Sequence, residues 1–266
     1  MNNTLFKATF KSNWGVGLII IAVMFMYFSI MVSMFDPEGI EGLVAMMESL
    51  PKEMVAALGF NDLGTTLTTY LGSAYYNFIA IMFPLIFIII VGNRLIAKHV
   101  DSGSMAYLLS TPNSRLKIVR TQALFFIASI TTIFVFLIVA GIGISQAMFP
   151  GQLEIGGFIL LNIVTLFLFY AISGISFFFS CIFDDTKYSL SFGAGVPVAF
   201  FVINLLANAG EQMSFLRYFT IFTLLNPGQI LEGSSFTVVA LLSLLAIAAA
   251  TYLSGIVMFN RRNLPL

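Results

Sequence analysis

The chain has 266 residues, of which 59% are hydrophobic and 9% are charged, with twelve basic and twelve acidic side chains in balance. A soluble domain carries roughly 25% charged residues, so this chain has far more apolar surface than a fold in water can hide, and the bilayer is expected to be its solvent. The absence of a basic excess argues against a nucleic-acid partner. One cysteine (Cys181) and one histidine (His99) make neither an internal disulfide nor a structural zinc site.

A membrane helix needs about 20 consecutive apolar residues. Six such runs occur: Gly15–Phe35, Leu71–Gly92, Gln122–Ala147, Gly157–Phe183, Ser189–Ala207 and Phe236–Phe259. None has a charged residue in its middle. Each is about twice the length of a barrel strand and is continuously apolar rather than alternating, so helices are expected. The first run follows Lys7 and Lys11, as in a signal peptide, but it is too long for a typical apolar core of one and no small-residue cleavage site follows. It is read as a retained span. The expected fold is all-α, a single six-span membrane domain over residues 1–266.

The orientation follows from Lys and Arg. With the N-terminus in the cytoplasm, Lys7, Lys11, Arg94, Lys98, Arg115, Lys117, Arg120, Lys187, Arg261 and Arg262 fall inside, and Lys52 and Arg217 fall outside. Most acids fall outside, among them Asp36, Glu38, Glu41, Glu154 and Glu232. This is the positive-inside pattern, with both termini in the cytoplasm.

Three connections are unusual. In the outer segment Asp36–Tyr70, Ile40, Leu43, Val44, Met47 and Leu50 recur at helical spacing, and Pro51 suits the first turn of a further short helix. One or two amphipathic helices at the membrane surface are expected there. In the inner segment Asn93–Thr121, Ser104 is a candidate cap for a short helix Met105–Ser110 that Pro112 stops, and Ser114 for the helix that leads into the third span. The outer segment Asn208–Ser235 is too apolar for a plain loop and too short to span, and Asn226-Pro227-Gly228 breaks it. A re-entrant or interfacial hairpin is expected.

The chemistry of the spans is sparse. No GxxxxGK[ST] phosphate loop is present, and no Ser/His pair, paired intramembrane Asp or HExxH points to an enzyme. The span interiors hold neutral polar groups in place of the carboxylates of an ion-coupled carrier. Asn77, Asn162 and Asn204 are candidates for a substrate path, against a plainer role in hydrogen bonds between helices. Gly193-Ala194-Gly195 and Pro197 read as close packing and a kink, and Asp184-Asp185 as a solvated turn that is also a candidate partner contact.

The inner segment holds more than a positive-inside loop requires. Asp101, Gly103, the apolar stretch Met105 to Leu109 with Tyr107 and Leu108, then Pro112 and Arg115 follow one another within fifteen residues. Apolar side chains in a cytoplasmic loop call for something to pack against, such as a partner protein.

The order Gly103-Ser104 … Leu108-Leu109-Ser110-Thr111-Pro112 … Ser114-Arg115 resembles the signature of ABC-2 type permeases, the membrane subunits of type V bacterial ABC exporters. The tail Phe259-Asn260-Arg261-Arg262-Asn263-Leu264 is similar to the ending common in such subunits, and the six-span layout agrees along nearly the whole chain. One departure is His99, where many members carry a Glu just before the Asp. The resemblance implies a permease in a bacterial cytoplasmic membrane that has no ATPase site of its own. A separate ATPase subunit would bind ATP and magnesium and dock on Asp101, Gly103, Met105, Tyr107, Leu108, Leu109, Pro112 and Arg115, and on Asp184 and Asp185. A second permease subunit, identical or a sister chain, would complete the pathway for a hydrophobic or amphipathic substrate such as a peptide, antibiotic or lipid. Two other classes stay open from the residues alone: a sensor or immunity protein that binds an extracellular peptide, and a secondary transporter.

Overall fold

The computed structural model describes residues 2–35, 51, 54–55, 66–110 and 113–263. Most of the segment Asp36–Tyr70, including the expected surface helices, and Pro112 lie outside these residues. Among the described residues the fold is helical and contains no strand.

Six helices are long and apolar enough to cross a membrane. In chain order they are α1 (Asn3–Met34), then α3 (Ile79–Leu95) running on into α4 (Ala97–Asp101), α6 (Arg115–Met148), α7 (Ile155–Ile182), α8 (Thr186–Ala209) and α10 (Ser235–Arg261). Shorter helices fill the connections: α2 (Leu67–Ala74) ahead of α3, α5 (Ser104–Ser110) ahead of α6, and α9 (Pro227–Leu231) ahead of α10.

Local signals account for the starts. The Asn2 side chain accepts from the Thr4 and Leu5 amides and begins α1 well ahead of the apolar run. Ser114 accepts from the Lys117 amide and begins α6. Asp185 accepts from the Lys187 amide and begins α8, and Asn226 does the same for α9, with Pro227 in its first turn.

The bundle is built around α7, which packs against α10, α8, α3 and α6, while α1 packs on α6 and α3. Small residues let the backbones approach. A Cβ on Gly174 would lie 2.2 Å from the Thr251 hydroxyl oxygen, and one on Gly255 would meet the backbone of Phe178 at 3.2 Å. The same α7–α10 seam carries a buried hydrogen bond between the Tyr252 and Ser173 hydroxyls (2.8 Å). Gly193 on α8 approaches the Ser176 carbonyl of α7 in the same way, whereas Gly195 has open space around it.

The run Leu71–Gly92 is not one helix. The chain leaves the α-helix at Tyr75 and re-enters it at Ile79, and the span then continues past Gly92 to Asp101. The Tyr76 and Ala80 amides bond carbonyls five residues back, at Leu71 and Tyr75. This widened turn lets the Tyr75 hydroxyl reach the Met24 carbonyl of α1 (3.2 Å) and its ring meet Phe28 edge-on. Tertiary packing thus overrides a continuous apolar pattern.

The segment after α8 folds back along it. Two 3-10 stretches, Glu211–Phe219 and Ile221–Leu224, return the chain so that the Thr220 hydroxyl bonds the Phe200 carbonyl (2.9 Å). Phe200 lies about 14 Å down α8 from its end, at 1.5 Å per residue. Buried Phe222 packs against Phe201, and α9 then packs on α2 and α7.

Candidate functional site

The alternation of the spans brings the starts of α1, α6 and α8 and the ends of α3–α4, α7 and α10 to one end of the bundle. That end carries Lys7, Lys11, Arg94, Lys98, Arg115, Lys117, Arg120, Lys187, Arg261 and Arg262. The segment singled out by its residue order sits here as two short helices joined by a tight turn.

The first of them, α4, is anchored on α7 by a buried hydrogen bond from the Ala97 amide to the Ser180 hydroxyl (3.1 Å). The chain then turns at Gly103, whose φ of +68° is the left-handed conformation that glycine adopts without strain. Ser104 is not an N-cap for α5. It is the first residue of that helix, and its hydroxyl turns back to the His99 carbonyl (3.3 Å) and ring Nδ1 (3.0 Å), tying the two short helices together.

Within α5 the apolar side chains divide. Met105 is fully buried, and Leu108 and Leu109 are half-buried against the bundle's own core. Tyr107 points away and is 80% exposed, with Ala106 and Ser110 beside it also exposed. The leucines therefore already have something to pack against, and the face left for a partner is the one with Tyr107.

Three further elements meet this pair. The Thr186 hydroxyl at the start of α8 donates to the Asp101 carboxylate at 2.6 Å. Asp184 forms an ion pair with Arg262 (3.1 Å) beyond the end of α10. The Arg262 guanidinium also donates to the Ile182 carbonyl and lies over the Phe259 ring at 5.5 Å, while its own carbonyl accepts from Arg115 at the start of α6 (2.9 Å). Burial pushes the Arg262 pKa down and the Asp184 carboxylate opposes it. The ends of α4, α6, α7, α8 and α10 on this side of the bundle are thus tied by a few charge-assisted bonds.

Among the expected coupling residues, Asp101, Gly103, Met105, Tyr107, Leu108, Leu109 and Arg115 lie in this layer, and Asp184 and Asp185 lie in the turn beside it. Pro112 is outside the described residues. The chain pattern did not single out Ser180 or Arg262 for this layer, and it reached Thr186 only as part of the segment Asp184–Lys187. Only the position of Arg262 in the basic tail hinted at it, since its partners lie far away in sequence.

The three asparagines lie on separate elements. Asn162 is buried on α7 and donates to the Phe158 carbonyl of its own helix (2.9 Å). Asn204 is buried on α8, and Asn77 lies in the turn between α2 and α3. Two cavities open between helices near the basic end, one of about 380 Å³ and one of about 470 Å³, and neither is lined by these asparagines. Among the described residues, no cluster of three or more His, Cys, Asp or Glu side chains is suited to a metal ion.

Residues 6–264 match the family described as ABC-2 family transporter protein. A six-span helical bundle matched over nearly its whole length places this chain in the ABC-2 transporter family, as a multi-pass membrane protein of transport. No significant match was found among curated proteins or among solved structures.

Proposed function

We propose that this chain is the permease subunit of an ATP-driven exporter in a bacterial cytoplasmic membrane, with its basic end in the cytoplasm. A separate ATPase subunit binds ATP and magnesium and docks on α5. A second permease subunit, identical or related, lies beside this one, and the cargo is hydrophobic or amphipathic.

The observation that carries this reading is the short helix α5. It presents Tyr107 to solvent while Met105 plugs it into the bundle. An aromatic residue that is 80% exposed at the cytoplasmic end of a membrane protein is an anchor awaiting a pocket. Its helix is a lever, because α4 is bonded through Asp101 to α8 and through Ala97 to α7. Closure of an ATPase pair against α5 would shift α4 and α5 as a unit and bias the spans between two packings. The folded-back segment at the other end, with Phe222 at its base, would shape the exit.

The test is a gentle purification of the tagged chain from its native membrane. A protein bearing a phosphate-binding loop should co-purify, should be lost with Tyr107→Asp and should be kept with Tyr107→Phe. Recovery of the chain alone in several mild detergents would contradict the proposal.

A further inference from the structure

We propose that one anionic phospholipid binds beside α1, with its phosphate in the polar cavity between α1 and the α3–α4 arm and an acyl chain in the apolar cavity between α1 and α6. The inference rests on the membrane placement of the bundle and not on the ATPase.

The 380 Å³ cavity lies at the basic end, where α1 faces the end of α3. Its walls include Arg94, Lys98 and His99, with Thr9, Ser12 and Ser104, and among the described residues no carboxylate lines it. Among the described residues the ion pair is Arg262 with Asp184, so neither Arg94 nor Lys98 has an acidic partner. Two unpaired cations at the rim of a polar cavity, at the depth where a span leaves the membrane, suit a phosphodiester.

The second cavity is of a different kind. It is lined mainly by α1 and α6, with Phe10, Trp14 and Leu18 on one side, Phe125 and Phe136 on the other, and Phe87 of α3 at its base. Asn13 lines both cavities and so marks where they meet. It is 5% exposed, its amide nitrogen donates to the Thr9 carbonyl (2.9 Å), and its side-chain oxygen has no partner. A buried acceptor without a donor is uncommon. A hydroxyl of the phosphatidylglycerol headgroup, folded back beside the phosphate, supplies the missing donor; the fully esterified backbone glycerol has none. The polar cavity and the apolar trough, which share Asn13, thus offer in turn a place for an anionic headgroup and one for an acyl chain.

The test is native mass spectrometry of the detergent-purified chain titrated with long-chain phosphatidylglycerol or phosphatidylcholine. The expected result is one tightly retained phosphatidylglycerol per chain and no retained phosphatidylcholine. Arg94→Gln with Lys98→Gln, both at exposed positions, should weaken retention by about tenfold or more. Lys7→Gln with Lys11→Gln, at the same end but outside the groove, should leave it within about twofold, since these are diffuse surface charges. Ala128→Trp, which fills the apolar trough, should weaken the long-chain lipid and spare a six-carbon-chain analogue. Equal retention of the two lipids, or a double Arg94/Lys98 variant that behaves as the parent, would overturn the proposal. So would complete displacement by inorganic phosphate, which would make the cavity a site for free phosphate.

Discussion

The two ends of the bundle are held together by different physics. At the basic end a handful of polar bonds link neighbouring elements: Asp101 of α4 with Thr186 of α8, Asp184 with Arg262 of the tail, Arg115 of α6 with the Arg262 carbonyl, and Ser104 of α5 with His99 of α4. At the other end the chain folds back on itself through packing. Phe222 is buried on Phe201, and Gly72 and Gly157 let α9 press its Pro227 and Leu231 against α2 and α7. Apolar packing is dense and resists deformation, whereas a few directional bonds at half-exposed positions hold short helices in one arrangement without locking it. Under the proposed function, the contrast would make the basic end the part that yields to a partner's push and the far end the part that resists.

Substitutions at the two ends should separate on this basis, as read by thermal unfolding in detergent. Phe222→Ala should have the largest effect, about 3 kcal/mol, because it leaves a cavity in close-packed aromatic contacts. Removing Arg262 with Arg262→Ala should cost less, about 1–2 kcal/mol, since Asp184 is half exposed and solvent screens the pair. The same change should loosen α6 through the lost position of the tail, which hydrogen exchange at the start of α6 would detect. Thr186→Val should be milder still, about 1 kcal/mol or less for one exposed hydrogen bond. If coupling runs through it, ATPase activity of the assembled complex should respond less to substrate in this variant while the complex stays intact. Comparable losses at the two ends, with Thr186→Val as costly as Phe222→Ala, would break the contrast.

Much of the fold was legible in the residues. The apolar runs set the six spans, and Ser114 and Asn226-Pro227-Gly228 announced a cap and a break that the structure places where the pattern had them. The break at Tyr75–Phe78 was not legible. Its residues read as one more stretch of an apolar span, and the turn is fixed by contacts of Tyr75 with α1, far away in sequence. The candidate site was legible as a segment but not as a surface. Residue order marked Met105 to Leu109 as one apolar patch, while only the fold shows that Met105, Leu108 and Leu109 turn inward and Tyr107 outward. The bonds of Asp101 with Thr186 and of Asp184 with Arg262 join residues about 80 positions apart, a distance over which no local pattern carries information.

The most direct test of the account uses the chain's one cysteine, Cys181, which is buried. Tyr107→Cys then offers an exposed thiol at the basic end, and Tyr218→Cys does the same at the far end, where Tyr218 is 90% exposed. Each is treated in its native membrane with a short crosslinker that joins the thiol to nearby amines, and the adduct is identified. The expected adduct at position 107, and not at position 218, is with a protein bearing a phosphate-binding loop. An adduct with such a protein at position 218, or none at position 107 while the thiol there is fully labelled, would contradict it.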